Sequence, residues 1–204
     1  MSSIAIYMEG GGKGRDTKTA LRQGMDGFLN PIKEAIRSKS WRWKLVPCGS
    51  RDEAFRNFKH AVLNDDNRII ILLVDAEDPV KTSVREHLKS RDRWELDFTT
   101  DDDVHLMIQT METWIVADIA ALADYYGQNF QQSALPSTSA LEAISKREIT
   151  RALKLATKAT LKREYHKIRH ASDLLKRIDS SKVRQRCQSC ERLFNTVLQA
   201  IEAV

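Results

Sequence analysis

Arg68-Ile69-Ile70-Ile71-Leu72-Leu73-Val74-Asp75-Ala76-Glu77-Asp78-Pro79 is the stretch on which the reading of the fold turns. Its run of isoleucine, leucine and valine is too short to span a membrane and stops at a polar turn and a proline, the pattern of a strand buried on both faces. The run ends in acid. Residues two apart on a strand point the same way, so Asp75 and Glu77 are expected on one side of the chain at its carboxyl end, where open α/β sheets hold ligands. Repulsion between such neighbours is relieved by a hard divalent cation with oxygen ligands. The same acids serve equally well as a cap for a following helix, so a second acid at a matching place is needed to decide.

Toward the amino end, Ile4-Ala5-Ile6-Tyr7-Met8 is another short apolar run, followed by Glu9-Gly10-Gly11-Gly12-Lys13-Gly14-Arg15. This is a strand-to-loop junction with a carboxylate at its tip and glycines that permit a tight turn. Neither the P-loop order nor G-x-G-x-x-G fits it. Between the two runs, Asp16-Thr17 is expected to cap a helix reaching about residue 36, interrupted at Pro31. Trp41 to Cys48 reads as a strand near the sheet edge, because it contains a proline and bases. Ser50 and Glu53 form a capping-box pattern for a helix that Asn64-Asp65-Asp66-Asn67 ends. The order β-α-β-α-β favours a mostly parallel sheet with helices on its faces.

Beyond the deciding stretch, Val104 to Gln109 reads as a fourth strand running into a helix from Met111 to about Tyr126. Glu112 thus stands at a third strand-to-loop or strand-to-helix junction, a place the helix dipole favours for an acid with no chemistry attached. Residues 127–139, rich in Gln, Asn, Ser and Pro, mark a boundary. The expected organisation is an α/β core over residues 1–127 and a basic helical extension over 128–204, with helices over 144–156, 162–175 and 181–203.

The chain has 204 residues, 42% hydrophobic and 30% charged, the balance of a soluble globular protein. With no apolar run of about 18–20 residues and no basic start leading into one, the expected location is the cytoplasm, away from membranes. The net charge of +5 is uneven: from residue 140 onward 15 Lys and Arg stand against 7 Asp and Glu, and before it 18 stand against 21. Such a split suits an acidic, metal-dependent site beside a surface that attracts polyanions, although basic helices are often simply solvated. Cys187 and Cys190 are spaced as half a zinc site and equally as ordinary helical core.

Tyr7-Met8-Glu9-Gly10-Gly11-Gly12 together with Leu73-Val74-Asp75-Ala76-Glu77-Asp78 resembles the TOPRIM fold of topoisomerases, primases and OLD-type nucleases. More narrowly, Met111-Glu112-Thr113-Trp114-Ile115-Val116-Ala117-Asp118 is similar to the M-E-x-W-x-x-A-D segment of small prokaryotic TOPRIM-like proteins related to RloB, which tend to be encoded near defence ATPases. The resemblance covers about residues 4–118 and departs from the pattern at Glu77, where the usual pair has a second aspartate. It implies a TOPRIM-like α/β sheet, with Glu9, Asp75 and Glu77 holding Mg²⁺ (or Mn²⁺) and Glu9, Asp75, Glu77 and Glu112 as catalytic candidates. Lys13, Arg15 and Lys18 beside Glu9 would meet the substrate. In the tail, Arg163, His166, Arg169 and His170 are expected to contact phosphates and Tyr165 to stack on a base. The implied activity is Mg²⁺-dependent cleavage of RNA (such as tRNA) or DNA by an antiphage effector restrained by an ATPase partner. The alternative is a catalytically silent TOPRIM-like subunit docked on that ATPase. Oligomeric state is not legible.

Overall fold

The computed structural model describes residues 2–64 and 68–203; the turn read at 65–67 lies outside the described residues. Four strands form one all-parallel sheet in the order β2-β1-β3-β4: β1 (Ser3–Glu9), β2 (Arg42–Gly49), β3 (Arg68–Asp75) and β4 (Val104–Met107). The deciding stretch is β3, inside the sheet, and β2 with its Pro47 is an edge strand. Alternation along β1 and β3 supplies both faces. Ile4, Ile6, Met8, Ile71 and Leu73 enter one hydrophobic cluster, and Ala5, Tyr7, Ile70, Leu72 and Val74 enter the other. A parallel sheet so covered must have helices on each side.

The crossover from β1 to β2 runs through α1 (Arg15–Phe28) and α2 (Asn30–Ser38), which pack on the first face. The crossover from β2 to β3 runs through α3 (Arg51–Asn64), whose Ala54, Phe58 and Ala61 cover the second face together with Leu88 of α4 (Val84–Asp92). The chain therefore leaves β1 in one direction for β2 and crosses it to reach β3 on the other side, which opens a crevice at the carboxyl ends of β1 and β3. Glu9 and Asp75 are the last residues of those strands.

The remaining helices all build the first face: α5 (Met111–Ala117), α6 (Ile119–Tyr126), α7 (Lys146–Thr157), α8 (Lys167–Leu175), α9 (Ser180–Arg186) and α10 (Gln188–Glu202). Buried residues of α7, α8, α9 and α10 share one hydrophobic cluster with β1, β3, α1 and α5. Phe28, Trp114 and Phe194 tie three of these layers together, with ring centroids 5.5 and 6.1 Å apart. Close approach of α8 to α1 depends on Gly24, where a Cβ would lie 2.6 Å from the Ser172 carbonyl oxygen.

Several expected boundaries move. The first helix starts at Arg15, with Gly14 as its cap; Thr17 instead donates to the Gly11 and Gly14 carbonyls. The helix expected from 111 to 126 divides at Asp118, whose carboxylate accepts from the Ala121 N–H, the Asp179 N–H and Lys182. The 181–203 helix divides at Cys187 into α9 and α10. The 162–175 helix begins only at Lys167, with His166 as its N-cap.

Candidate metal centre

Glu9 arrives at the crevice because β1 and β2 are clamped just beyond it: Gly10 and Gly49 exchange N–H to carbonyl bonds of 2.9 Å each. The loop then folds back over α1. Gly11, at φ 81°, lies so close that a Cβ there would be 2.8 Å from the Lys18 Cα. Arg51, the first residue of α3, donates to Glu9 Oε2 at 3.2 Å and to the Asp75 carbonyl. Asp92 holds that guanidinium bidentately at 2.8 and 2.7 Å, and Trp94 lies under it.

Asp75 is only 3% exposed. Its Oδ1 accepts from the Met111 N–H at 2.8 Å and its Oδ2 from Lys167 Nζ at 3.4 Å, while the Thr110 hydroxyl, 3.2 Å from Oδ2, shares its one proton between Asp75 and the nearer Glu112. The first turn of α5 and the start of α8 thus fix one carboxylate. Glu77 does not reach the site by strand alternation, since β3 stops at Asp75. It lies in left-handed backbone at φ 69°, its N–H donates to the Gln109 carbonyl at 2.7 Å, and Lys146 Nζ pairs with its carboxylate.

These turns bring Glu9, Asp75 and Glu77 together, one carboxylate oxygen of each lying within 4.8 Å of the others. The cluster could bind a metal ion. Its donors are all hard oxygens from separate stretches of backbone, the set that Mg²⁺, Mn²⁺ or Ca²⁺ takes, with room for water as the remaining ligands. Burial raises the Glu9 carboxyl above its ordinary range, and the Asp75 charge adds to this against the pull of Arg51. Burial likewise raises Asp75, with Lys167 opposing it and Glu112 adding to the rise. Crowded, desolvated carboxylates of this kind gain most from a cation.

Glu112 stands one step behind. It accepts from Thr110 at 2.6 Å, Tyr165 at 3.0 Å and Lys167 at 3.4 Å. Burial works to raise it, but Lys167 and the two hydroxyls together hold it below its ordinary value. Lys167 accordingly bridges Asp75 and Glu112 while its side chain stays 47% exposed. Burial alone would lower the Lys167 ammonium; the two carboxylates raise it instead.

A cavity of about 490 Å³ opens from Glu9 and Asp75 between the glycine loop, α1 and α8. Lys13 lines it, whereas Arg15 is exposed outside its lining and Lys18 Nζ is spent on the Cys48 carbonyl at 2.9 Å. Arg163, His166 and Arg169 line a separate groove of about 500 Å³ that reaches Glu112 and Lys167. His170 is a correction. Its ring is buried, with Nδ1 3.0 Å from the Tyr126 hydroxyl, because α8 begins later than its sequence suggests and turns that face inward. Tyr165 is corrected in the same way: it is a buried donor to Glu112, out of reach of a base. Cys187 and Cys190 are buried thiols, and burial pushes Cys187 up to about 12.

Sequence reading missed Arg51, Thr110, Lys146 and Lys167. Arg51 and Lys146 do carry a signal, since each directly follows a serine that caps a helix. The Met111–Asp118 segment also has a local account: Met111 and Glu112 serve the site, Trp114 is core, and Asp118 is a cap.

A family model described as a domain of unknown function (DUF4276) matches residues 8–198. No curated protein and no solved structure matches the chain.

Proposed function

The chain belongs to the DUF4276 family, and for it we propose a metal-dependent nuclease that cleaves RNA or DNA by phosphodiester hydrolysis. The observation that carries this reading is the meeting of Glu9, Asp75 and Glu77 within 4.8 Å at the open end of a parallel sheet, beside exposed cationic grooves. The resemblance to TOPRIM-like proteins supports it and supplies the biological setting: a cytoplasmic antiphage effector held in check by an ATPase partner.

Glu9, Asp75 and Glu77 would hold Mg²⁺, or Mn²⁺ in its place. Bound there, the cation supplies charge stabilisation on phosphoryl oxygens and a more acidic water. The chain's own groups supply the rest. Glu9, which lines the cavity at the end of β1, would take or give the proton there or help position the cation. The Met111 N–H, Thr110 and Lys167 hold Asp75 in one orientation. Lys167 and Lys13 present positive charge to an incoming phosphate in the cavity.

A second reading, a silent binding or regulatory subunit docked on the ATPase, draws on a different observation. Each carboxylate of the cluster already has a cationic partner of its own: Arg51 for Glu9, Lys167 for Asp75 and Lys146 for Glu77.

The test is cleavage of labelled tRNA, single-stranded RNA and duplex DNA with Mg²⁺, Mn²⁺ or EDTA, with Mn²⁺ binding measured in parallel. Cleavage that needs the metal and is lost in Glu9→Gln is expected, with Mn²⁺ binding lost in Asp75→Asn. Equal cleavage by both variants would sink the nuclease, and absence of Mn²⁺ binding in wild type would favour the silent subunit.

A further inference from the structure

A solvated basic helix is ordinarily laced with acids three or four residues from its cations. Helix α7 is not. Arg147, Arg151, Lys154 and Lys158 follow one another at spacings of four, three and four, a single face of the helix, while Ile149, Leu153 and Ala156 turn inward to the core. Two of these steps place like charges at i and i+4, an arrangement that destabilises a helix. The acid in the helix, Glu148, is engaged in the capping box with Ser145. Lys154 pairs with the exposed Glu164 at 2.9 Å, but the side chains of Arg147, Arg151 and Lys158 make no hydrogen bond or salt bridge to another described residue. Concentrated, unpartnered positive charge of this kind is the footprint of a polyanion site.

Its position gives it direction. A groove of about 740 Å³ runs along this face and ends at Glu77, where Lys146 stands between the basic strip and the acidic cluster. The strip, 12 residues long, extends for about 18 Å, enough for several phosphates. The second groove, with Arg163, His166 and Arg169, shares Lys146, Thr150, Lys154 and the acid Glu164 with the first. Apolar surface accompanies the charge: Leu155 lines the groove at 38% exposure. A duplex keeps its base faces stacked inside, whereas a single strand offers phosphates to the cations and unstacked base faces to the guanidinium planes of Arg147 and Arg151 and to the apolar patch at Leu155.

We propose that the outward face of α7 is a track for single-stranded nucleic acid that delivers its backbone to the Glu77 edge of the acidic cluster. The assignment of what happens at that edge rests on the nuclease reading; the track itself does not.

The test is binding of a fluorescent single-stranded oligonucleotide, in EDTA and across salt concentrations, to the full chain carrying Glu9→Gln. Adding Arg147→Gln, Arg151→Gln and Lys158→Gln together is expected to weaken binding on the order of tenfold and to lower the salt slope by about 2, near 0.7 for each phosphate no longer neutralised. A control triple at the β2 edge, Lys39→Gln, Arg42→Gln and Lys44→Gln, removes the same charge and is expected to leave most of the binding. Equal weakening by both triples would reduce the track to net charge and overturn it, as would unchanged binding by the α7 triple. Duplex bound as tightly as single strand would overturn the single-strand assignment. The two readings fail separately: a chain that binds through α7 and never cleaves keeps the track and loses the nuclease, and a chain that cleaves while ignoring the α7 triple does the reverse.

Discussion

The acidic cluster and the basic face of α7 meet at Glu77, and they are held in opposite ways. Each carboxylate of the cluster is pinned by donors from other elements: Arg51 of α3, the first turn of α5, Lys146 of α7 and Lys167 of α8. The cations of the outward strip, Arg147, Arg151, Lys154 and Lys158, are exposed, and the side chains of all but Lys154 have no hydrogen-bond or salt-bridge partner among the described residues. Chemistry on a phosphodiester needs oxygens and protons at fixed distances, so that region is built from buried, cross-braced groups. Capture of a polyanion needs charge density and tolerates motion, so that region is left as free side chains on a rigid helix. Lys146 belongs to both.

Substitutions on the two sides of this division are expected to fail differently. The largest effect is expected from Asp75→Asn, which keeps the shape and removes the charge: cleavage should fall about 10²–10⁴-fold, the range of an acid–base or charge-positioning group, while oligonucleotide binding in EDTA stays as in the parent. A parallel loss of binding would merge the two regions. Next comes Gly24→Ala, which belongs to neither. Its methyl would have to displace the Ser172 backbone on α8, an overpacking cost of about 1–3 kcal/mol, and it would pull Lys167 from Asp75 and Glu112. Urea denaturation should show the loss, and cleavage should fall with it; an unchanged midpoint would mean that α8 is not braced at Gly24. Each substitution of the Arg147, Arg151 and Lys158 triple should change the stability by no more than about 0.5 kcal/mol, as exposed sites do, even while the triple weakens binding.

The two regions also differed in how far sequence could reach them. The strands, their parallel order and the edge position of β2 follow from apolar runs and capping signals, because each is a local pattern repeated over several residues. Glu9 and Asp75 were legible for the same reason: they stand where such runs stop. Glu77 was placed by the wrong rule, since a left-handed residue after β3, and not strand alternation, turns it into the cluster. Lys167 leaves no signal in the sequence, and for Arg51 the capping serine marks a helix start but not the contact with Glu9. Their roles depend on how α8 crosses α1 at Gly24 and on how Asp92 and Trp94 steer a guanidinium, contacts between residues 41 or more apart in sequence. The turn at Arg163 to His166 broke the helical periodicity that had put His170 on an outer face; backbone at φ 64° for Arg163 leaves no trace in hydrophobic spacing.

The smallest effect separates a functional acid from a structural one. Burial and the Asp75 charge raise the Glu9 carboxyl above its ordinary value of 4.5, so the folded chain holds that proton more tightly than the unfolded chain does. Below 4.5 both states are protonated and the full stability is present; as pH rises through the folded value, that contribution is lost. Glutamine at position 9 cannot ionise. In metal-free buffer Glu9→Gln is therefore expected to melt above wild type at pH 7, with the gap closing toward pH 4.5, although the same change removes cleavage. Adding Mg²⁺ should reverse the order at neutral pH, because a cation that binds only the folded wild type stabilises it by mass action. A glutamine variant less stable than wild type at pH 7 without metal would mean that the Arg51 ion pair outweighs burial, and that Glu9 is a brace of the crevice before it is part of a metal site.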